Sequence, residues 1–219
     1  MFLGKFSDKS SFRGEGFSLF DSGDMWVGFS GRLLGLTVPA ADTARYIAGQ
    51  YAECGEVCFR ELEGSFVVII YDGMHTLIAR DRHGTGPQVY YTRDLYASSL
   101  LDMKLSGDCT RPDAGALCMF LNMGHIPYGR SSFEGVSKLA PGSLAIYDGH
   151  GIRVESLFAW NPGYPAAPSK SRDEYAEEYA VLHARSIRER IAGSRDVGVL
   201  LSGGYDSGCN LAAPVSYTH

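Results

Sequence analysis

The 219-residue sequence holds no run of 18 apolar residues, so no membrane-spanning helix is expected. Its opening, MFLGKFSDKSSFRG, lacks the continuous apolar stretch of a signal peptide. Basic charge is not in excess. Lysine plus arginine is 20 against 25 acids, a net charge of -5, which argues against a nucleic-acid binder. Cysteine is sparse and odd in number, at positions 54, 58, 109, 118 and 209, with no C-x-x-C pair. A disulfide framework is therefore not expected, and a cytoplasmic location is. Cys54 and Cys58 sit one helical turn apart, but no histidine lies near them in sequence. They are expected to be buried structural thiols, with no metal bound. What the sequence does have is a 45% hydrophobic content, enough for a core, and 27 glycines, which favour strands joined by tight turns.

Residues 1–24 are polar, glycine-rich and weakly periodic, and no element is assigned to them. Met25–Phe29 reads as a short strand. Asp42 is placed to cap a helix over about 43–54, in which Ala44, Ile47, Ala48 and Tyr51 recur at helical spacing, with Gly55 as terminator. Phe66–Tyr71 is β-branched or aromatic throughout, Asp72-Gly73 is a turn signal, and Thr76–Ala79 forms the second arm of a hairpin. Further strands are expected at Val89–Thr92 and Asp94–Ser98, in an antiparallel meander. A short helix is expected over Asp113–Asn122, with Ala114, Leu117 and Leu121 on one side. Leu144–Tyr147 and Ile152–Leu157 form another hairpin. Residues 161–170 (NPGYPAAPSK) carry three prolines and read as a linker. Beyond it a helix is expected from about 174 to 192, capped by Ser171 or Asp173, with Tyr175, Tyr179, Leu182, Ser186 and Ile187 near one face. Val197–Leu201 then reads as a fully buried strand. The chain is thus expected to divide into domains 1–160 and 171–219.

One constellation carries chemistry. The segment VGVLL runs into Ser202-Gly203-Gly204-Tyr205-Asp206-Ser207. Adjacent glycines at a strand end let backbone approach a ligand, and their N–H groups, with those of a following helix, form an anion nest. Ser202 and Ser207 add hydroxyl donors. Asp206 repels phosphate unless a divalent cation bridges the two. Neither the Walker spacing nor G-x-G-x-x-G is present. The alternative is an ordinary serine–glycine turn.

LLSGGYDSG resembles the S-G-G-x-D-S loop of N-type ATP pyrophosphatases. Residues 52–72 (AECGEVCFRELEGSFVVIIYD), 79–91 (ARDRHGTGPQVYY) and 124–142 (GHIPYGRSSFEGVSKLAPG) resemble, in order, segments of the glutamine-hydrolysing asparagine synthetase family. That resemblance implies an α+β fold. It would be an αββα sandwich of antiparallel sheets of the amino-terminal-nucleophile hydrolase type, followed by the first helix–strand–loop of an α/β ATP-pyrophosphatase domain. It implies that ATP with Mg2+ adenylates a carboxylate, aspartate in the family, for attack by ammonia. The pyrophosphate portion of ATP would be held by Ser202, Gly203, Gly204, Asp206 and Ser207, with Leu200 and Leu201 against the nucleotide. Arg80, Asp81, Arg82 and His83 would brace the loop after a central strand.

The sequence departs from the family in three places. The nucleophilic cysteine expected at position 2 is Phe2, and Met1 is expected to be retained. The Asn-Gly-Glu of the glutamine pocket is Ser30-Gly31-Arg32, so Arg32 reverses the charge that meets the substrate ammonium, although Asp42 matches the family carboxylate. The first domain is therefore expected to be a glutaminase fold without glutaminase activity. Lastly, Pro214 is expected to break the helix after Ser207 within about two turns, and the rest of a synthetase domain is expected beyond residue 219. The piece alone is then expected to be inactive and to bind no cofactor tightly. Three readings follow. The first is an asparagine synthase-like ATP-dependent amide-forming ligase using ammonia. The second is a β-lactam synthetase- or lasso-peptide cyclase-like ligase, in which the substrate supplies the amine. The third is a non-catalytic scaffold. Expected partners are aspartate or another carboxylate, an ammonia or amine donor, and a homodimer mate or the missing synthetase portion, with no nucleic acid and no membrane.

Overall fold

The computed structural model describes residues 1–36, 38–107, 110–127, 129–158, 169–194 and 196–215, with residues 213–215 described by backbone alone. The chain forms two compact units, Met1–Ala159 and Trp160–His219. Cys109 and most of the 161–170 segment lie outside the described residues.

The first unit is α+β with two antiparallel sheets. The first sheet joins β2 (Asp8–Gly14), β1 (Phe2–Lys5), β8 (Leu95–Ala97), β7 (Tyr90–Tyr91) and β9 (Ser137–Lys138), in that order. The second runs β11 (Ile152–Ser156), β10 (Ser143–Tyr147), β6 (Thr76–Arg80), β5 (Gly64–Tyr71), β4 (Trp26–Leu33) and β3 (Ser18–Asp21).

Side-chain alternation along each strand builds the layers. On β5, Val67 and Ile69 face the first sheet, where Phe2, Phe6, Tyr96 and Leu139 meet them. Phe66, Val68 and Ile70 face the other way, onto Ile47 and Ala48 of α1 (Thr43–Cys54) and Phe59 of α2 (Cys58–Glu61). On β6 and β10 the same alternation sends Ile78 and Ala145 between the sheets, and Leu77, Ala79, Leu144 and Ile146 toward the helices. On the outer face of the first sheet, Leu95 and Ala97 pack with Met103 of α3 (Leu100–Leu105) and Val136. Strands apolar on both faces are those buried on both faces, which is why Phe66–Tyr71 reads as an unbroken apolar run.

The hairpin and the C-terminal end of α1 match their sequence signals. Gly55 closes α1 at φ +60, and the turn between β5 and β6 is held by Asp72 Oδ1, which accepts from the amides of Met74 (2.9 Å) and His75 (2.7 Å). Three regions depart from expectation. Residues 1–24 form β1, β2 and β3. Their polarity hides them because β2 and β3 are sheet edges, solvated along one side, with Phe12 as the main apolar anchor of β2. In α4 (Ala114–Met123) the buried residue is Ala116, while Leu117 and Leu121 are exposed. Of the two cysteines expected to be buried, Cys58 is, and burial together with the nearby Cys54 pushes its thiol pKa up to about 12, whereas Cys54 is exposed.

The second unit contains α5 (Arg172–Ile191) and α6 (Tyr205–Val215). Ser171, not Asp173, caps α5. Its hydroxyl accepts from the Glu174 amide while the Glu174 carboxylate accepts from the Ser171 amide, a reciprocal capping box. His183 of α5 meets Asn210 of α6 at 2.9 Å and stacks on Tyr179. The face of α5 carrying Tyr175, Tyr179 and Leu182 is exposed, not buried. Val197–Leu201 is not a strand. A strand is stable only when a neighbour completes its hydrogen-bond ladder, and the described residues of this unit form no strand to pair with it. Helix α6 is continuous through Pro214 to Val215, the last residue described, so Pro214 does not break it within the described residues. No described helix is long and apolar enough to cross a membrane.

Candidate functional site

Two places gather the candidate residues, one in each unit. In the first unit, Gly31 lies on β4 opposite Phe66 of β5, at φ +124. A Cβ there would stand 2.1 Å from the Ser65 carbonyl oxygen and 2.7 Å from the Phe66 Cα, so only glycine lets the two backbones approach. Gly31 lines a cavity of about 260 Å³ together with Gly16, Phe17, Ser18, Phe29, Ala40 and Ala41. Ser30, Arg32 and Asp42 do not line it, although each neighbours a residue that does.

Asp42 holds the position before α1 but does not cap it with its side chain. Its helical backbone conformation, at the end of a 3-10 turn over Ala40–Asp42, does not bring the carboxylate to the first amides. Ser18 of β3 takes that role. Its hydroxyl accepts from the Ala44 amide (3.2 Å) and donates to the Ala41 carbonyl (2.8 Å), tying the rim of the cavity to the sheet edge. Sequence reasoning missed Ser18, Phe17 and Phe29, because no local motif marks a cap supplied from another element.

Phe2 is buried between the sheets. Its ring packs edge-on against Phe17 at 5.4 Å, and Phe17 in turn meets Phe12 at 5.0 Å. Its backbone is fixed on both sides of Ser98, with the Phe2 amide donating to Ser98 Oγ and the Ser98 amide donating to the Phe2 carbonyl, both at 2.9 Å. Residue 2 is thus a phenyl within an aromatic cluster that reaches the cavity only through Phe17, and it offers no nucleophilic atom.

Asp81, which is buried, ties the loop after β6 to Phe66 of β5, the residue opposite Gly31. Its Oδ2 accepts from the amides of Gly86 (2.8 Å) and Phe66 (3.3 Å), and its Oδ1 from those of Thr85 (3.0 Å) and His83 (3.2 Å). Burial raises the pKa of this carboxyl, but the four converging amides outweigh it and hold the group below the usual carboxylate range. Arg80 beside it donates to the carbonyls of Leu139 (2.8 Å) and Gly84 (2.9 Å). Arg82 lies over the Phe158 ring, 4.1 Å from its centroid. Arg80 and Asp81 hold loops by hydrogen bonds to backbone, in keeping with the bracing expected of this group. Among the described residues Asp81 and His83 meet no serine or cysteine in a catalytic arrangement.

In the second unit, residues 202–207 form a compact loop entering α6. Gly203 adopts φ +81. The Ser202 amide donates to Ser207 Oγ (3.3 Å), the two hydroxyls lie 3.2 Å apart, the Gly204 amide donates to Ser202 Oγ (3.4 Å), and Ser207 Oγ donates to the Gly204 carbonyl (3.1 Å). The two serines thereby fold the loop over the first turn of α6, where helix geometry leaves amide N–H groups without intrahelical partners. Gly203, Gly204, Tyr205, Gly208, Cys209 and Ala212 line a cavity of about 310 Å³. Ser202, Asp206 and Ser207 stand outside that lining. Asp206 lies in the first turn of α6. Leu200 and Leu201 are solvent-exposed, Leu200 at 96%, on the unpaired segment that precedes the loop. Among the described residues no three His, Cys, Asp or Glu side chains gather closely enough to hold a metal ion.

Residues 38–158, more than half of the chain, match the family model described as a glutamine amidotransferase domain. No curated protein matches the chain. Among solved structures, glutamine phosphoribosylpyrophosphate (PRPP) amidotransferase from B. subtilis, complexed with ADP and GMP, is similar at 12% identity and a TM-score of 0.43, covering 90% of this chain and 46% of that one. A structure described as the allosteric regulatory enzyme of purine biosynthesis is similar at 14% identity and a TM-score of 0.44, covering 89% of this chain and 44% of that one. The chain spans just under half the length of either.

Proposed function

We propose a function from one premise: the chain belongs to the glutamine amidotransferase domain family. The reading is an ATP-dependent amide-forming ligase of the asparagine synthetase type, in which the first unit keeps the amidotransferase architecture without hydrolysing glutamine. The observation that carries the ligase half is the serine-folded loop 202–207 at the start of α6. Its left-handed Gly203 and hydroxyl-fixed backbone suit the diphosphate portion of ATP. Mg2+ is commonly bound through one or two carboxylates together with phosphate oxygens, and Asp206 is the carboxylate this chain offers there.

The second reading, a ligase that draws its amine from the substrate, is favoured by Phe2, Ser30 and Arg32. Phe2 supplies no nucleophile for releasing ammonia, and Arg32 stands in the sequence where the resembled family has the glutamate of its glutamine pocket, although it does not line the cavity beside Gly31. Both readings share carboxylate activation by ATP and differ in the acceptor, aspartate with ammonia or an internal amine.

Two measurements test the proposal. Magnesium pyrophosphate titrated into the labelled chain is expected to shift the backbone amide resonances of 202–208, with an affinity no better than millimolar, and Gly203→Val is expected to abolish the shifts. Shifts spread over other residues, or unchanged by the substitution, would remove the ligase reading. Separately, glutamate release from glutamine is expected to stay at the level of a heat-denatured control. Turnover above that level would remove the non-hydrolysing reading of the first unit.

A further inference from the structure

A second cavity in the first unit, of about 540 Å³, lies between the turn after α4 and the segment leading from β9 to β10. Its volume falls within the range of small-molecule sites. The walls are mostly apolar, from Ile126, Pro127, Leu139, Ala140 and Pro141, and two cations complete them, Arg80 and Lys138. No carboxylate lines it among the described residues.

Both cations are placed by neutral groups. Arg80 is only 7% exposed and gives its two terminal nitrogens to the carbonyls of Leu139 and Gly84, while its Nε is buried with no hydrogen-bond partner. Burial pulls its pKa down despite the adjacent Asp81, whose oxygens are engaged by four backbone amides. Lys138 Nζ donates to the Ile126 carbonyl at 2.6 Å, which uses one of the three donors of an ammonium. Its backbone is pinned on β9, where the Lys138 amide donates to the Gly129 carbonyl at 2.6 Å. The Gln88 amide nitrogen is occupied by the Val89 carbonyl. The wall therefore combines apolar surface with two cations hydrogen-bonded to carbonyls, the one carboxylate beside Arg80, Asp81, having its oxygens turned to backbone amides and standing outside the lining.

We propose that this cavity binds a small carboxylate carrying an apolar body, the carboxylate meeting Lys138 within the field of Arg80 and the body lying against Ile126, Leu139 and the two prolines. A free aliphatic acid and the carboxyl end of a peptide share this chemistry. Hexanoate represents the first and N-acetyl-leucine the second, and N-acetyl-leucinamide is the uncharged control. In titrations of the full chain followed by amide shifts at Gly129 and Ala140, at least one acid is expected to saturate while the neutral amide does not. Lys138→Met, which keeps the aliphatic stem, is expected to weaken the acid roughly tenfold, the loss of one charge-assisted hydrogen bond. Lys138→Arg is expected to retain most of the binding. Saturation by hexanoate alone or by N-acetyl-leucine alone supports the site and identifies the source. The proposal is overturned if neither acid saturates, if the neutral amide binds as well as its acid, or if Lys138→Met binds unchanged while its melting profile matches that of the parent.

Discussion

Asp81 does more for the first unit than its single charge suggests. One carboxylate gathers amides from β5 and from the loop 83–86, and its own carbonyl accepts from the Gly84 and Gly142 amides. The loop can lie this close to the strand only because Gly86 has no side chain, since a Cβ there would stand 2.5 Å from the Phe66 nitrogen. Asp81→Asn keeps the shape but turns an –NH2 group toward N–H donors. The expected cost is about 2 kcal/mol of unfolding free energy at neutral pH, the scale of charge-assisted hydrogen bonds lost at a buried site. The pH dependence has a definite sign. The folded pKa of Asp81 lies below its unfolded value, so its stabilisation is complete above the unfolded value, about 4, and disappears as pH falls through the folded one. Denaturant unfolding of parent and Asp81→Asn at pH 7 and pH 3 should show the gap narrowing in acid. A gap independent of pH would mean that the substitution acts through sterics rather than through the ionised carboxylate.

At the scale of elements, α5 shows how far local sequence determines structure. With no buried residue along its 20, it draws little from packing, so its capping box carries unusual weight. Ser171→Ala is expected to cost about 1 kcal/mol of local helix stability, visible as fraying of residues 172–175 in amide exchange and as reduced helical circular dichroism. An unchanged first turn would show that tertiary contacts, not the cap, fix the boundary. The elements that were legible in the sequence share this self-sufficiency. The C-terminus of α1, the Asp72-Gly73 hairpin and the cap of α5 are each written within a few residues. Those that were not legible depend on partners distant in the chain. Strand β2 (DKSSFRG) has poor strand propensity and exists because β1 offers a ladder and Phe12 finds Phe17 and Trp26. Val197–Leu201 has the opposite character, strong propensity with no ladder to join, and remains unpaired. The candidate sites divide likewise. The S-G-G-x-D-S loop is contiguous and could be read directly, whereas the cavity beside Gly31 is assembled from residues on β3, β4 and the turn before α1, and its Ser18 cap left no sequence signal.

The whole molecule is uneven in where it keeps its apolar side chains. Every residue of the three core clusters lies between Phe2 and Leu157, within the first unit. In the second unit no described residue is buried, and Tyr179, Val181, Leu182, Leu200, Leu201 and Tyr205 are exposed. Apolar burial is the main favourable term in folding, so the two units should differ in stability by far more than their helix and strand contents suggest. Hydrogen exchange measures this difference directly, because protection in a segment reports the free energy of the smallest opening that exposes it. Amides in β5, β6 and β10 are expected to exchange only through global opening of the first unit, and those of α5 and α6 orders of magnitude faster, through local opening. The contrast also bears on the ligase reading. A phosphate-binding loop is effective when its amides are held in place before the ligand arrives, and α6 lacks a core to hold it. The second unit should therefore gain protection in α6 when magnesium pyrophosphate is added, while the first unit stays unchanged. If α6 were already as protected as β5 without ligand, the weak affinity expected for the loop would have to arise from its chemistry and not from its missing support.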